Sequence, residues 1–197
     1  MKIPYVSEEV EVPEGVEVTV ENNVVKVKGP LGELVRDFSK QPVTIRKEGN
    51  TVIVECYFAK KRERALVGTI AKHIKNMITG VTKGFRYRMK IVYAHFPMSV
   101  KVEGDKVVIE NFLGQKDKKV AKIVGDVKVK VEKDEVIIEG IDIEKVSQTA
   151  ANIHNAVRLR GKNRPCPHGR EGGPGVLDGI YLYQVELAKT GEVIWKI

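Results

Sequence analysis

The chain has 197 residues, enough for two small domains, and its 42% hydrophobic and 30% charged residues exclude a wholly disordered protein. Lys and Arg number 34 against 26 Asp and Glu, a formal net charge of +8 that suggests a polyanionic partner. Because no stretch approaches the roughly 18 apolar residues of a membrane span, we expect no membrane partner. The N-terminus is no signal peptide and the two cysteines suggest no disulfide framework, which predicts a cytoplasmic protein.

The sequence repeats itself in its strand-like segments. Residues 17–32 (EVTVENNVVKVKGPLG) align without a gap with residues 99–114 (SVKVEGDKVVIENFLG), and residues 43–55 align with residues 127–139. In each segment valine or isoleucine alternates with polar residues, which is typical of a half-buried strand. Asn, Asp or Gly occupies the midpoint of each segment, where a hairpin turn needs residues that tolerate positive φ.

Two helices follow the hairpins at matching places. Residues 60–78 and residues 144–160 each place apolar side chains three and four positions apart, which predicts one buried stripe per helix. Gly80 is the predicted C-cap of the first helix. The stripe residues are Leu66, Ile70, Ile74, Met77 and Ile78 in the first helix, and Val146, Ala150, Ile153 and Val157 in the second.

These elements predict an α+β fold with two similar domains from an internal duplication. Each domain is expected to have an antiparallel or mixed sheet packed against one long helix. We place the first domain at residues 1–93 and the second at residues 94–197, joined between Thr82 and Phe96. The strand after Gly84 then closes the first domain, as the strand after Gly179 closes the second.

The two halves differ after the second helix. Residues 79–83 suffice to link helix and strand in the first half, whereas the second half has a basic Gly/Pro-rich loop, residues 158–176. The first half joins its helix and strand without such a loop, so the fold does not require it. The loop is then either an arm that enters folded RNA or a solvated basic segment without a fixed partner. The candidate RNA-binding residues are Arg158, Arg160, Lys162, Asn163, Arg164, His168, Arg170 and Gly173.

Two further basic clusters lie outside this loop. Lys60, Lys61 and Arg62 begin the first helix, where a bound phosphate would offset their unfavourable interaction with the helix dipole. The other possibility is a solvated helix end that Glu63 partly compensates. The second cluster is the strand segment 86–90, whose Arg86, Arg88 and Lys90 could follow a phosphate backbone or simply face solvent.

Other chemistry has little support in the sequence. Cys166 and His168 lack the further ligands that a structural zinc site needs. The glycines of residues 169–175 are not followed by the Gly-Lys-Ser/Thr of a phosphate-binding loop. The Gly29-Pro-Leu-Gly32 segment has the spacing of a KH-domain loop, but its strand-like flanks predict a hairpin turn instead. We therefore expect no enzyme, cofactor, metal or small-molecule substrate.

Several segments of the chain together resemble one known family. These segments are residues 3–16, 24–32 (VVKVKGPLG), 66–74 (LVGTIAKHI), 80–85 (GVTKGF), 139–142 (EGID), 146–153 (VSQTAANI) and 177–181 (LDGIY). On these segments the chain is similar to the universal large-subunit ribosomal protein number six family, in its archaeal form. That resemblance implies two similar α+β domains, neighbouring large-subunit ribosomal proteins as partners and no catalytic activity. It also implies binding of large-subunit ribosomal RNA, mainly through the second domain, near the sarcin–ricin loop and the translation-factor site.

In that family the RNA-contacting loop follows the second helix, which corresponds here to residues 158–175. This loop departs from the family's usual form in its Cys-Pro-His and Gly-Gly-Pro-Gly segments. One rival hypothesis is a free RNA-binding module, a chaperone or regulator outside the ribosome. Another is a hydrolase that uses His168 or His154, for which the sequence offers no nucleophile and base arrangement.

Overall fold

The computed structural model describes residues 3–94, 96–159 and 178–197. Within these ranges the protein is α+β, with two α-helices and with sheets whose strands all pair antiparallel. The chain divides into two units. The first comprises Met1–Gly84 with Ile141–Ile143, and the second comprises Phe85–Gly140 with Glu144–Ile197.

The first unit contains two three-stranded sheets and one helix. The sheets have the strand orders β1-β6-β5 and β2-β3-β4. The elements are β1 (Ile3–Glu11), β2 (Glu17–Glu21), β3 (Val24–Gly29), β4 (Gly32–Asp37), β5 (Thr44–Glu48), β6 (Thr51–Ala59) and α1 (Lys61–Lys83).

The turn between β2 and β3 is the hairpin that the sequence predicts. Asn22 and Asn23 have φ angles of 50° and 61°, the left-handed conformation that a tight hairpin requires. The side chain of Asn23 also donates to the Val43 carbonyl at 2.7 Å and accepts from the Ile45 amide at 3.0 Å. One residue thus shapes its own turn and holds the start of β5.

The core of the first unit is the apolar stripe of α1 together with the inner faces of the sheets. Ile70, Ile74, Met77 and Ile78 are buried and Leu66 is partly buried, which confirms the predicted stripe. Each fully buried aliphatic side chain of this kind contributes about 1.5–3 kcal/mol relative to an exposed one. Their sheet partners are Val10, Val12, Val18, Val25, Val27, Val43, Ile45, Val52 and Val54.

The prediction that Gly80 caps α1 was wrong. The helix continues to Lys83, and Gly84, with φ at 68°, ends it by donating its N–H to the Gly80 carbonyl at 3.0 Å. The cause is Val81, which is fully buried and whose carbonyl accepts the Leu31 amide at 2.9 Å. Packing at Val81 extends the helix one turn beyond the glycine.

The second unit contains a three-stranded sheet, a five-stranded sheet and one helix. The strand orders are β10-β9-β8 and β11-β12-β7-β13-β14. The elements are β7 (Phe85–Val92), β8 (Ser99–Glu103), β9 (Lys106–Glu110), β10 (Lys119–Lys122), β11 (Lys128–Glu132), β12 (Glu135–Gly140), α2 (Ile143–Ala156), β13 (Gly179–Leu187) and β14 (Val193–Lys196).

Helix α2 buries Val146, Ala150 and Ile153 of its predicted stripe, and it ends at Ala156, before the predicted residue 160. Val157, which follows the helix, is also buried. The one fully buried polar side chain of α2 in the described part of the chain is Thr149. That hydroxyl donates to the Lys145 carbonyl at 2.8 Å and accepts from the Val124 amide at 3.1 Å. The helix is therefore held both by apolar contacts and by a satisfied polar one.

Strand β7 lies in the second unit, whereas the sequence analysis made it the last strand of the first domain. It pairs with both β12 and β13, so it is a neighbour of β13 rather than its counterpart. By order and pairing its counterpart is β1. Each precedes a three-stranded sheet, and each pairs with the strand that leads into the helix of its unit, β6 or β12.

Two of the three basic residues of β7, Arg86 and Arg88, form ion pairs within the sheet, whereas Lys90 is exposed. The Arg86 Nη1 and Arg88 Nε atoms lie 2.9 and 3.1 Å from Oε1 of Glu186 on β13, and Glu139 and Glu135 on β12 bind the same two arginines. Burial raises the pKa of Glu186, but hydrogen bonds from Arg86 and Arg88 outweigh it, so that pKa lies below its usual range. These arginines are already neutralised inside the sheet.

We predict that Gly29→Ala destabilises the protein by roughly 1–3 kcal/mol through overpacking. A Cβ at Gly29 would lie 2.6 Å from Cγ2 and 2.9 Å from the carbonyl oxygen of Val81. Urea unfolding measures the change. The control is Gly68→Ala, at an open and exposed site on α1, which should stabilise by about 0.5–1 kcal/mol. If Gly29→Ala left the free energy of unfolding unchanged, the close contact between the hairpin and the helix would be contradicted.

We predict that Glu186→Gln lowers the free energy of unfolding by roughly 2–3 kcal/mol at pH 7. The loss is smaller than for a fully buried pair because the side chains of Arg86 and Arg88 are 25% and 29% exposed. A depressed pKa stabilises the fold above the unfolded-state pKa of about 4.3, and this stabilisation disappears as the pH falls through the folded-state pKa.

The difference between Glu186→Gln and the wild type should therefore shrink as urea unfolding is repeated at lower pH. Glu9→Gln, which changes an exposed carboxylate on β1, should show little effect at any pH. A difference of the same size at pH 3 and pH 7 would show that the ion pairs do not stabilise the sheet.

Candidate nucleic-acid interface

Most of the predicted RNA-binding loop lies outside the described residues, which stop at Leu159 and resume at Asp178. The structure therefore describes where the loop leaves and rejoins the fold. The predicted residues that lie outside are Arg160, Lys162, Asn163, Arg164, His168, Arg170 and Gly173.

Both ends of the loop are attached to ordered elements of the second unit. Arg158, which is exposed, follows the last turn of α2 and donates its backbone N–H to the Asn155 carbonyl at 3.4 Å. Asp178, only 7% exposed, directly precedes β13, and its Oδ1 accepts the Ala94 amide at 3.0 Å. The loop thus starts at the C-terminal end of α2 and returns at the beginning of a central strand.

His154 connects these two elements. Its Nδ1 lies 2.9 Å from the carbonyl oxygen of Ile180, and its ring centroid lies 5.5 Å from that of Tyr181. The last turn of α2 is therefore held against the first residues of β13, which fixes the separation of the loop ends. This contact gives His154 a structural role in place of the catalytic one considered from the sequence.

The described surface near the loop ends carries mixed charge. The Ile91 amide donates to the Asp134 carbonyl at 2.8 Å, which brings the β11–β12 turn beside the end of β7. Exposed Lys90 and Lys133 lie there together with exposed Glu132 and Asp134. Opposite charges of this kind largely cancel at a distance, so a positive field at this end has to come from the loop itself.

The second predicted cluster lies where β6 passes into α1. Lys60 is the N-cap residue, and the carboxylate of Glu63 accepts its backbone N–H. The side chains of Lys60, Lys61 and Arg62 are exposed, and none of them has an ion pair or side-chain hydrogen bond within the described ranges. The structure leaves these cations available to an anion, and their contact with RNA stays a prediction.

Two exposed aromatic residues precede this cluster and were missed from the sequence. Tyr57 and Phe58 are 61% and 69% exposed, and Phe58 has a φ of 52°, which is unusual for a bulky side chain. The sequence does contain a sign of them, because two adjacent aromatic residues interrupt the alternation of β6 shortly before a run of cations. Asp178 was missed as an anchor because its partner, Ala94, is distant in sequence.

Within the described ranges, no three His, Cys, Asp or Glu side chains are grouped so that they could hold a metal ion. Cys166 and His168 lie outside those ranges. Neither α1 nor α2 combines the length and the hydropathy that a membrane-crossing helix needs.

Comparison with known proteins identifies the family. The "Large ribosomal subunit protein uL6" of Aeropyrum pernix is 54% identical over 184 residues, which cover 93% of this chain and 96% of that protein. The proteins of the same name from Pyrobaculum aerophilum and Ignicoccus hospitalis are 48% and 53% identical, covering 96% and 94% of this chain and 100% and 98% of theirs. The sequence model of the ribosomal protein L6 family matches residues 12–84 and 96–163. These matches confirm the resemblance, and the chain belongs to the ribosomal protein L6 family.

Proposed function

We propose that this chain is a structural constituent of the large ribosomal subunit that binds large-subunit ribosomal RNA, mainly through its second unit. Its relatives carry the name of a large-subunit protein, and the family consists of structural proteins rather than enzymes. The proposed contact is the loop of residues 158–176, near the sarcin–ricin loop and the translation-factor site. Other large-subunit proteins would be its neighbours, and its place in the cell would be the ribosome.

The observation that carries this proposal is a cationic loop between two fixed ends. Five cations and no acid occur from Arg158 to Arg170. The loop ends are set by the contacts of His154 with Ile180 and of Asp178 with Ala94.

The loop composition suits folded RNA in physical terms. Arginine can bind phosphate through two parallel hydrogen bonds and can stack on an unpaired base. Glycines such as Gly172 and Gly173 leave backbone N–H groups accessible to phosphates, and Pro165, Pro167 and Pro174 reduce the entropy lost on ordering. Binding would neutralise phosphates, release counterions and fit RNA shape.

Internal charge pairing in the second unit strengthens the case for the loop. Arg86 and Arg88 are bound to the carboxylates of Glu135, Glu139 and Glu186, so they contribute little net charge to an RNA surface. Residues 158–170, by contrast, contain five cations and no acid, and in the first unit Lys60 and its two neighbours are exposed.

We also infer that the two units arose by internal duplication. Each has the order strand, three-stranded sheet, hairpin and helix, and in each the first strand pairs with the second strand of the hairpin. The strands β13 and β14 and the loop before them extend the second copy. The helices differ in length, 23 residues in α1 and 14 in α2, so the copies have diverged.

We predict that replacing Arg158, Arg160, Lys162, Arg164 and Arg170 with glutamine weakens binding to a large-subunit RNA fragment that contains the sarcin–ricin region. Each lost phosphate contact should also reduce the slope of log affinity against log salt by about 0.7–0.9. Filter binding or fluorescence anisotropy across a salt series measures both effects. An unrelated structured RNA serves as the competitor and should bind the intact protein less tightly.

The matched control removes the same formal charge elsewhere. Lys47, Lys72, Lys75, Lys128 and Lys130 are exposed and can be changed to glutamine together. This variant should keep the preference for the ribosomal fragment. Equal losses in the two variants would mean that only total charge matters. Equal affinity of the intact protein for both RNAs would favour the alternative of a free RNA-binding module.

A further inference from the structure

The sheet of the first unit carries two tyrosine rings on its outer face. Tyr5 on β1 and Tyr57 on β6 are direct partners in the strand register, so their side chains project from the same face. Their ring centroids are 5.1 Å apart with the planes at 47°, and the residues are 44% and 61% exposed. Val52 and Val54 point to the opposite face and are fully buried in the core, so the tyrosines lie on the face away from it.

A buried carboxylate holds this pair in position. The hydroxyl of Tyr5 donates to Oε2 of Glu55 at 2.9 Å, and Nε of Arg46 lies 3.3 Å from Oε1 of the same group. Glu55 is only 5% exposed. Its charge is therefore balanced, and the ring of Tyr5 is oriented before any ligand arrives. Preorganised rings lose less conformational entropy on binding.

The charges around the pair are arranged asymmetrically. Beyond Tyr57 the chain continues through exposed Phe58 to Lys60, Lys61 and Arg62, whose exposed side chains have no acidic partner in the described part of the chain. The exposed acids of this sheet lie towards its other end, where Glu9 pairs in register with Ile53 and Glu48 with Thr51. Flat aromatic surface thus adjoins free positive charge.

We propose that Tyr5, Tyr57, Lys60, Lys61 and Arg62 form a second RNA-contact surface that takes unpaired nucleotides. The tyrosine rings stack on bases, and the three cations contact the adjoining phosphates. Exposed aromatic rings on the outer face of an antiparallel sheet, next to Lys and Arg, bind single-stranded RNA in this way elsewhere. An apolar protein surface fits less well, because docking would desolvate three cations without the counter-charge that phosphates supply.

This surface is separate from the loop of the second unit and depends on the proposed function only for RNA as the ligand. It can be probed with an oligoadenylate of about ten nucleotides, the scale of single-strand sites, and with an RNA duplex for comparison. The full-length chain is compared with Tyr57→Ala, Tyr57→Leu and Tyr57→Phe. The control variant is Val35→Ala, at a 58% exposed apolar residue of the first unit.

We expect Tyr57→Ala and Tyr57→Leu to bind oligoadenylate about fivefold or more weakly, the loss of one stacked base, with the salt dependence unchanged. Tyr57→Phe keeps the ring and should bind within about twofold of the wild type, as should Val35→Ala. The triple variant Lys60→Gln, Lys61→Gln, Arg62→Gln should instead lower the salt slope by about 2, at 0.7 per single-strand phosphate. Circular dichroism confirms that each variant is folded.

The loop-neutralised protein separates this proposal from the proposed function. It should lose its preference for the ribosomal fragment but still bind oligoadenylate. Unchanged oligoadenylate affinity in Tyr57→Ala would overturn the second surface, whatever the loop does. If Tyr57→Ala bound RNA normally but co-sedimented less with large subunits, the patch would be a protein-docking surface and the RNA assignment would be wrong.

Discussion

The antiparallel pairing of β7 with both β12 and β13 is the constraint on which the second unit depends. It places Arg86 and Arg88 between Glu135 and Glu139 on one neighbour and Glu186 on the other. It also fixes the start of β13, where the loop rejoins the fold, beside the end of β7. The same strand thus pairs two arginines with carboxylates and positions the end of a loop that carries five further cations.

The role of each basic residue depends on what its side chain contacts. An arginine that already donates one hydrogen bond to a nearly buried carboxylate and another to a second glutamate stabilises a sheet, and RNA would have to displace these partners. A cation on an exposed helix start has no such competitor. The net charge of +8 therefore does not locate an RNA-binding surface by itself. The paired arginines have to be distinguished from unpaired cations such as Lys60.

Local sequence patterns predicted much of this fold and failed where distant partners decide. The turn at Asn22-Asn23 and the buried stripe of α1 were predicted correctly, because both patterns involve residues only a few positions apart. The alternation of Phe85, Tyr87 and Met89 correctly indicates a strand but cannot specify β12 and β13 as its partners. The cap at Gly84 rather than Gly80 depends on Val81 meeting the distant Gly29 turn. The basic composition of the candidate loop is visible in the sequence, whereas the contacts of Asp178 and His154 at its ends are not.

The proposed function depends above all on contact between the loop of the second unit and ribosomal RNA. Ultraviolet crosslinking of large subunits that contain this protein, followed by mass spectrometry of nucleotide-linked peptides, tests it most directly. We expect crosslinked peptides to come chiefly from residues 158–176 and their RNA adducts to map near the sarcin–ricin loop. Crosslinks confined to other segments, with this loop unmodified, would contradict it.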